Sequence, residues 1–389
     1  MKRIALPAFL VTAALLGACA SVAPPQVPVQ LFQDQAFEAP TQRIDASEVF
    51  ALSPAMKRYL EVDIASQLRS MGAQRGLVDA LYSKAKLSLD YETDITRTAA
   101  QAFDARSGNC LSLVVMTAAL AKHLSLPIQY QALIGNESWS RNGGLNFVNG
   151  HVNITVARRL VDRIGGVEYD TLLRLNFGAL PAGRGMQIQA VSEPTIVAMF
   201  MNNRAAEALA RGETGNAYAY AREAVIQDPA YAGAYNTLAV IYQRHGLAEA
   251  AERAYRHAIG QDDEHRAAMH NLSRLLDAQG RTSEAAPWRA KLAKLEAEPP
   301  FHHFDLGVAA VQAGEYKAAQ AHLLREMRRD PDYHEFHFWL AVALYGMGDI
   351  AQAREHLDTA MKNSTTRRER SLYASKLQRL AASGGSRAQ

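Results

Sequence analysis

The chain has 389 residues, 48% of them hydrophobic and 21% charged, with a formal net charge of +3. That length predicts two or three domains, the apolar share supports a globular fold, and so weak a basicity excludes the electrostatic footprint of a nucleic-acid-binding surface. Beyond residue 19 no apolar run is long enough to cross a bilayer as a helix, and the chain has only two cysteines, Cys19 and Cys110.

Lys2 and Arg3 precede an apolar stretch from Ile4 to Leu16, too short for a mature membrane helix and shaped like a secretory signal. Its end, Leu16-Gly17-Ala18-Cys19, resembles the lipobox of bacterial lipoproteins. The resemblance implies a signal peptide over residues 1–19 and a lipidated Cys19, palmitate among its acyl chains, as the new N-terminus. Ala20 and Ser21, with no aspartate after the cysteine, imply by the same resemblance a lipid anchor in the outer membrane, facing the periplasm. Several acyl chains anchor stably where one does not. Residues 20–48, with Pro24, Pro25, Pro28 and Pro40 among Gln and Ala, read as a flexible tether. Lipidation would leave Cys110 as the only thiol and allow no internal disulfide.

Residues 49–195 form the next unit. Ser53-Pro54 is a cap and first-turn proline that opens a helix towards Met71, a second helix spans about 74–87, and a short one runs from Thr96 to Ala105. The turn Ser107-Gly108-Asn109 then delivers Cys110 onto the first turn of an apolar helix reaching Leu124. There the unpaired N–H groups and the helix dipole favour a thiolate. From Ile128 the pattern changes to strands, at 128–134, 152–156 and 172–177, with a polar loop at 135–149 between the first two. His151, in Gly150-His151-Val152, heads the second strand, and a cysteine with a distant histidine is a candidate nucleophile–base pair.

The motifs Thr96-Arg97-Thr98-Ala99, Gly108-Asn109-Cys110-Leu111-Ser112 and Gly150-His151-Val152-Asn153 resemble those of the transglutaminase-like domain of the papain-like cysteine superfamily. The resemblance implies an α+β fold in which Cys110 attacks an amide carbonyl and His151 is its base. It also implies a third residue that fixes the imidazole tautomer, usually aspartate, one strand beyond the histidine. Asn176 stands at that register, and Asp170, just before the strand, is the alternative, with Asp162 a weaker one. Water as acyl acceptor would make a cysteine peptidase or amidase, an amine a transglutaminase-type acyltransferase.

Residues 196–365 are a repeat array. Gly212, Gly246, Gly280, Gly314 and Gly348 recur every 34 residues, the period of the tetratricopeptide repeat. Tyr235, Leu238, Ala239, Tyr242, Gly246, Ala251, Tyr255 and Ala258 fill that repeat's signature in order, so the array resembles five tetratricopeptide repeats, an all-α solenoid. Residues 366–389 add a capping helix, with Leu372, Leu377 and Leu380 facing the stack, and a tail. The resemblance implies a concave groove for a protein or peptide partner, lined by Asn202, Asn236, Arg274, Phe304, Val308, Phe338 and Tyr345. His334 and His337 share a helix face, but no carboxylate cluster completes a metal site, so inter-repeat packing is their role and no cofactor is implied. Two functions remain open: a lipid-anchored thiol acyl-transfer enzyme whose repeats recruit its substrate, or an envelope scaffold with a degenerate cysteine domain.

Overall fold

A computed structural model describes residues 26–82, 87, 89–92, 95–142, 145–157, 172–177, 187–295, 301–364 and 367–385. Cys19, Asp162 and Asp170 lie outside them. Among the described residues no helix is long and apolar enough to cross a membrane.

The cysteine unit begins with α1 (Pro54–Arg58), capped by the Ser53 hydroxyl, which accepts the Met56 N–H at 3.2 Å. The single helix expected up to Met71 is broken by one wide turn, Tyr59–Asp63, which buries Tyr59 and Leu60 before α2 (Ala65–Met71) resumes. Then follow α3 (Ala73–Tyr82), β1 (Asp90–Tyr91), α4 (Ala99–Ala105), β2 (Ser107–Gly108) and α5 (Cys110–His123). Thr98 and Gln101 form a reciprocal capping box on α4, so that helix starts later than the sequence suggested. Helix α5 is buried from Leu111 to Ala121, as its unbroken apolar run requires.

The sheet is β3 (Ile128–Asn142), β4 (Leu145–Val156), β5 (Leu173–Leu175) and β6 (Gln187–Val191), in the order β5-β4-β3-β6 and antiparallel throughout. The polar loop expected at 135–149 is instead the far end of a long β3–β4 hairpin, pairing from Ile128–Val156 to Asn142–Leu145 with an irregularity between Leu133 and Ser138. Polarity misled there because a hairpin arm needs ladder partners rather than apolar side chains. Strand β6, an edge strand with exposed Ile188, Gln189 and Ala190, was not legible at all.

The array is five hairpins: α6 (Glu193–Ala210) with α7 (Thr214–Gln227), α8 (Ala232–Arg244) with α9 (Ala248–Gln261), α10 (Arg266–Ala278) with α11 (Thr282–Leu295), α12 (His302–Gln312) with α13 (Tyr316–Met327), and α14 (His334–Gly346) with α15 (Ile350–Asn363). All five ladder glycines sit at the turns inside the hairpins with φ between +75° and +85°, the left-handed conformation that glycine adopts without strain. Helix α16 (Arg367–Gly385) caps the stack through Tyr373, Leu377 and Leu380. Leu372, expected to face inward, is 46% exposed, and its neighbour Tyr373 takes that place.

Cysteine unit and array are not separate cores. One apolar cluster runs from Val114, Leu120 and Ile154 through Phe200 and Tyr242 to Leu276 and Ala285, whereas repeats four and five have small clusters of their own. The described part of the expected tether is docked rather than free. Phe37 stacks on Tyr218 with centroids 4.3 Å apart, the Tyr242 hydroxyl donates to the Leu31 carbonyl at 2.7 Å, and Asn216 accepts the Thr41 N–H at 2.8 Å. Prolines and short polar residues carried no amphipathic period, so the aromatic contacts that fix this segment were invisible to composition.

Candidate functional site

The thiol is placed by a capped turn. Asn109 is the N-cap of α5, its Oδ1 accepting the Ser112 N–H at 2.9 Å and the Ser112 hydroxyl at 2.7 Å, while its Nδ2 donates to the Thr96 hydroxyl at 2.9 Å. That cap puts Cys110 at the first helical position. Gly108 is required because a Cβ there would lie 2.6 Å from the Ser112 Cβ. The adjoining arch is pinned by Arg97, whose N–H donates to the Ser112 hydroxyl at 2.8 Å and whose guanidinium meets Glu92 at 3.0 Å. Ser107 donates to the same Glu92 carboxylate at 3.0 Å.

Tyr91 enters through the short parallel pairing of β1 with β2, which sets it opposite Gly108. Its hydroxyl is hydrogen-bonded to the Cys110 thiol and to the Cys110 backbone N–H. The sulfur also receives the N–H groups of Leu111 and of Val152. These donors favour a thiolate, but burial outweighs them and pushes the thiol above its ordinary range. Burial, with the nearby thiol, raises the Tyr91 hydroxyl too, so it stays protonated and able to donate.

The Val152 N–H belongs to the peptide bond that joins Val152 to His151, so Cys110 reaches the backbone of the histidine strand. His151 is buried, and that burial lowers its pKa, opposed by the side chain of Asn153. The imidazole is therefore neutral at pH 7, the state a base requires. Asn153 lies two residues along β4 and so on the same face. Its side chain favours the charged ring, although its Oδ1, like that of Asn176, is buried without a partner. Asn176 follows β5 directly, but its Oδ1 and the His151 Nε2 are both buried without a partner, so the expected bond between them is not formed. Asn153 was missed, although strand alternation two residues from His151 is a signal that could have found it; Tyr91 had none, since a two-residue strand leaves no pattern.

The site is tied to the array. Glu207 on α6 accepts the Thr96 N–H at 2.7 Å, and Arg204 holds Glu207 at 3.2 Å while donating to the Thr96 carbonyl at 3.4 Å. Thr96 thus joins the cap of Cys110 on one side to the first repeat on the other. At the end of α5, Lys122 and Tyr130 both donate to Glu193, at 2.7 and 2.8 Å.

Of the groove residues, Arg274 and Tyr345 are exposed and Asn202, Asn236 and Val308 half-buried. Asn236 accepts from Asn271 at 3.1 Å. Phe304 is 4% exposed and packs with Phe301 and Phe336, so it belongs to the core of its repeat rather than to an open groove. Phe338 is stacked on Tyr373 at 5.1 Å, beneath the capping helix. Large aromatics at groove register are drawn into the nearest apolar cluster. Among the described residues no group of three or more His, Cys, Asp or Glu is arranged to hold a metal.

A family model described as tetratricopeptide repeat matches residues 236–299 and 304–366. Similar solved structures include the tetratricopeptide protein TTC0263 of Thermus thermophilus, 18% identical with a TM-score of 0.31, covering 46% of this chain and 99% of that one. YrrB, described as a tetratricopeptide protein with an unusual peptide-binding site, is 20% identical with a TM-score of 0.25, over 46% of this chain and 92% of its own. PilF of Pseudomonas aeruginosa is 23% identical with a TM-score of 0.29, over 49% of this chain and 89% of its own. Comparison with curated proteins gives no match. The family match and the 34-residue hairpins make the C-terminal part a tetratricopeptide-repeat solenoid, an architecture of protein–protein interaction.

Proposed function

We propose that the chain is a thiol acyl-transfer protein of transglutaminase-like type, with its repeats as the recruiting surface for a protein or peptide partner. The reading rests on one arrangement above all. Cys110 stands at the first position of a buried helix, ringed by the Leu111 and Val152 N–H groups and the Tyr91 hydroxyl, Val152 being the residue that follows His151 in β4. In the reaction His151 takes the thiol proton, the sulfur attacks an amide carbonyl, and the C–N bond breaks as the imidazolium returns that proton to the leaving amine. The resulting thioester is released to water or to a second amine. Donors around the sulfur are placed to steady the oxyanion that forms between these steps. Asp170 stays in the proposal as the group that orients His151, with Asn153 on the same strand face as the ring.

The exposed groove positions Arg274 and Tyr345, with Asn202 and Asn236, would receive the partner. Acylation at Cys19 would anchor the protein in the outer membrane, facing the periplasm. Loss of lipid partitioning in Cys19→Ser tests the anchor.

The chemistry is tested with an amide-derived acylating probe and intact-mass spectrometry. A thioester on Cys110 that forms in the wild type and fails in His151→Ala supports the reading. Equal labelling in both, at the rate of an ordinary buried thiol, would leave the repeats as a scaffold and end the catalytic proposal.

A further inference from the structure

Repeats four and five share a feature outside both the cysteine site and the groove. His303 and His322 meet Nδ1 to Nδ1 at 3.0 Å, and so do His337 and His356, each member displaced by one 34-residue repeat from its counterpart. Each pair joins the first helix of a hairpin to the second, α12 to α13 and α14 to α15. In repeats one to three the same two positions hold Met201 and Tyr220, Tyr235 and Ala254, and Met269 and Trp288, none of them ionisable near neutral pH.

The geometry says what each pair holds. Ring centroids lie 5.3 and 5.2 Å apart, two ring radii more than the nitrogen separation, so each pair of nitrogens lies on the line between its rings. The planes are tilted by only 22° and 31°. Two lone pairs meeting head to head at that distance accommodate one proton. A metal ion between them would need about 2 Å on each side and does not fit. His337 fixes the direction in its pair: its Nε2 contacts the Pro331 carbonyl at 2.7 Å and must donate, so its Nδ1 accepts from His356 in the neutral pair.

We propose that these histidine pairs make repeats four and five an acid-sensitive clasp. Each pair closes its hairpin while it shares one proton and opens it when both rings are charged. The first proton taken up, on His356 Nε2, strengthens the bond; the second must sit on His337 Nδ1 and breaks it. The first protonation therefore adds stability and the second removes it, so the loss sets in only where acid charges both rings, the sign expected of a base whose further charging is disfavoured in the folded state. Burial and the His337 charge both hold His356 down, in agreement.

Neighbouring charges do not cancel the effect. Around the first pair lie the His302 ring, 5.1 Å from His303, and Glu326 on α13, whose carboxylate is taken by the N–H groups of Phe301, His303 and Phe304. Around the second lie Asp330, in the turn before α14, and Glu355 beside His356. On the far side of α14, His334 bonds the Tyr373 hydroxyl at 2.9 Å and faces Glu369 at 3.4 Å, and burial, outweighing Glu369, lowers its pKa, so its protonation too is disfavoured in the folded state. Acid thus acts inside the hairpins and, through His334, at the contact with the capping helix as well.

The test is amide hydrogen exchange on the full chain at about pH 7.5 and about pH 5, corrected for intrinsic rates. Peptides from α12 to α15 are expected to lose about tenfold or more in protection at the lower pH, the worth of one pKa unit, while those from α6 to α9 change little. In the double variant His322→Gln, His356→Gln the amide N–H still donates without titrating, and protection at low pH should return to within about twofold of its neutral value. Uniform acid loss along the array, or the same loss in the variant, overturns the proposal. Should the variant fail to fold, imidazole NMR of the wild type decides. Two well-separated protonation steps per pair support the clasp, and one ordinary step per ring overturns it.

Discussion

Repeats one to three and repeats four and five have the same hairpins, the same glycine turns and the same period, yet they are filled differently. In the second repeat Tyr235, Tyr242 and Tyr255 are fully buried in the cluster that continues into the cysteine unit. In the fourth and fifth, His303 and His337 occupy the place of Tyr235, and the apolar clusters are small and local. A repeat fold fixes where side chains point but not what they do. The first three hairpins spend their interior on joining another domain, the last two on a polar lock.

The largest effect should come from opening the shared core. Tyr242→Ala removes a fully buried ring and the hydroxyl bond to Leu31, with an expected cost of about 3–5 kcal/mol. If the core is common, denaturant melts followed at α5 and at α8 will shift together. A shift confined to the repeats would separate the two regions after all.

Next in size is Glu207→Ala, which leaves the Thr96 N–H and Arg204 without their acceptor inside the junction, at about 1–3 kcal/mol. The expected sign at the site is faster modification of Cys110 by a small alkylating reagent, because the loosened arch admits it. An unchanged rate would mean that the array does not hold the thiol.

Asn109→Ala removes the cap of α5 at about 1 kcal/mol, measured by thermal unfolding, with little effect on repeats four and five. The smallest change in stability is expected for Tyr91→Phe, which keeps the ring and deletes the donor to sulfur. Since burial already holds the thiol high, losing this hydroxyl should raise it further. Alkylation of the wild type should climb with pH through and beyond the ordinary thiol range, and the variant should follow the same curve displaced to higher pH. A displacement to lower pH would assign Tyr91 to the neutral thiol instead.

Much of this was legible in the chain. The glycine ladder gave the hairpins and their turns because a left-handed turn leaves few alternatives to glycine, and the Ser107-Gly108-Asn109 turn placed Cys110 at a helix start. What escaped depends on contacts between segments far apart in sequence. Tyr91 reaches the thiol through a two-residue strand, Phe37 finds its place on Tyr218, and Glu207 meets Thr96 across 111 positions. Phe304 and Phe338 were misplaced for a related reason: register set their direction, but Phe301, Phe336 and Tyr373 cover them.

The docking of residues 26–45 against α7 and α8 bears on reach. A free segment from Cys19 to residue 48 would have a contour of about 100 Å and would let the array sample a wide hemisphere above a bilayer. With Phe37 clamped between Tyr218 and His245, and Leu31 bonded to Tyr242, the distance from Cys19 to Gln26 is bounded by the contour of the chain between them, at most about 25 Å. Under the proposed anchoring at Cys19 the molecule is moored by its flank, near the turns at Gly212 and Gly246. The search volume shrinks with the cube of the distance to the anchor, and the local concentration of the array near membrane-bound partners rises by more than an order of magnitude without any new contact.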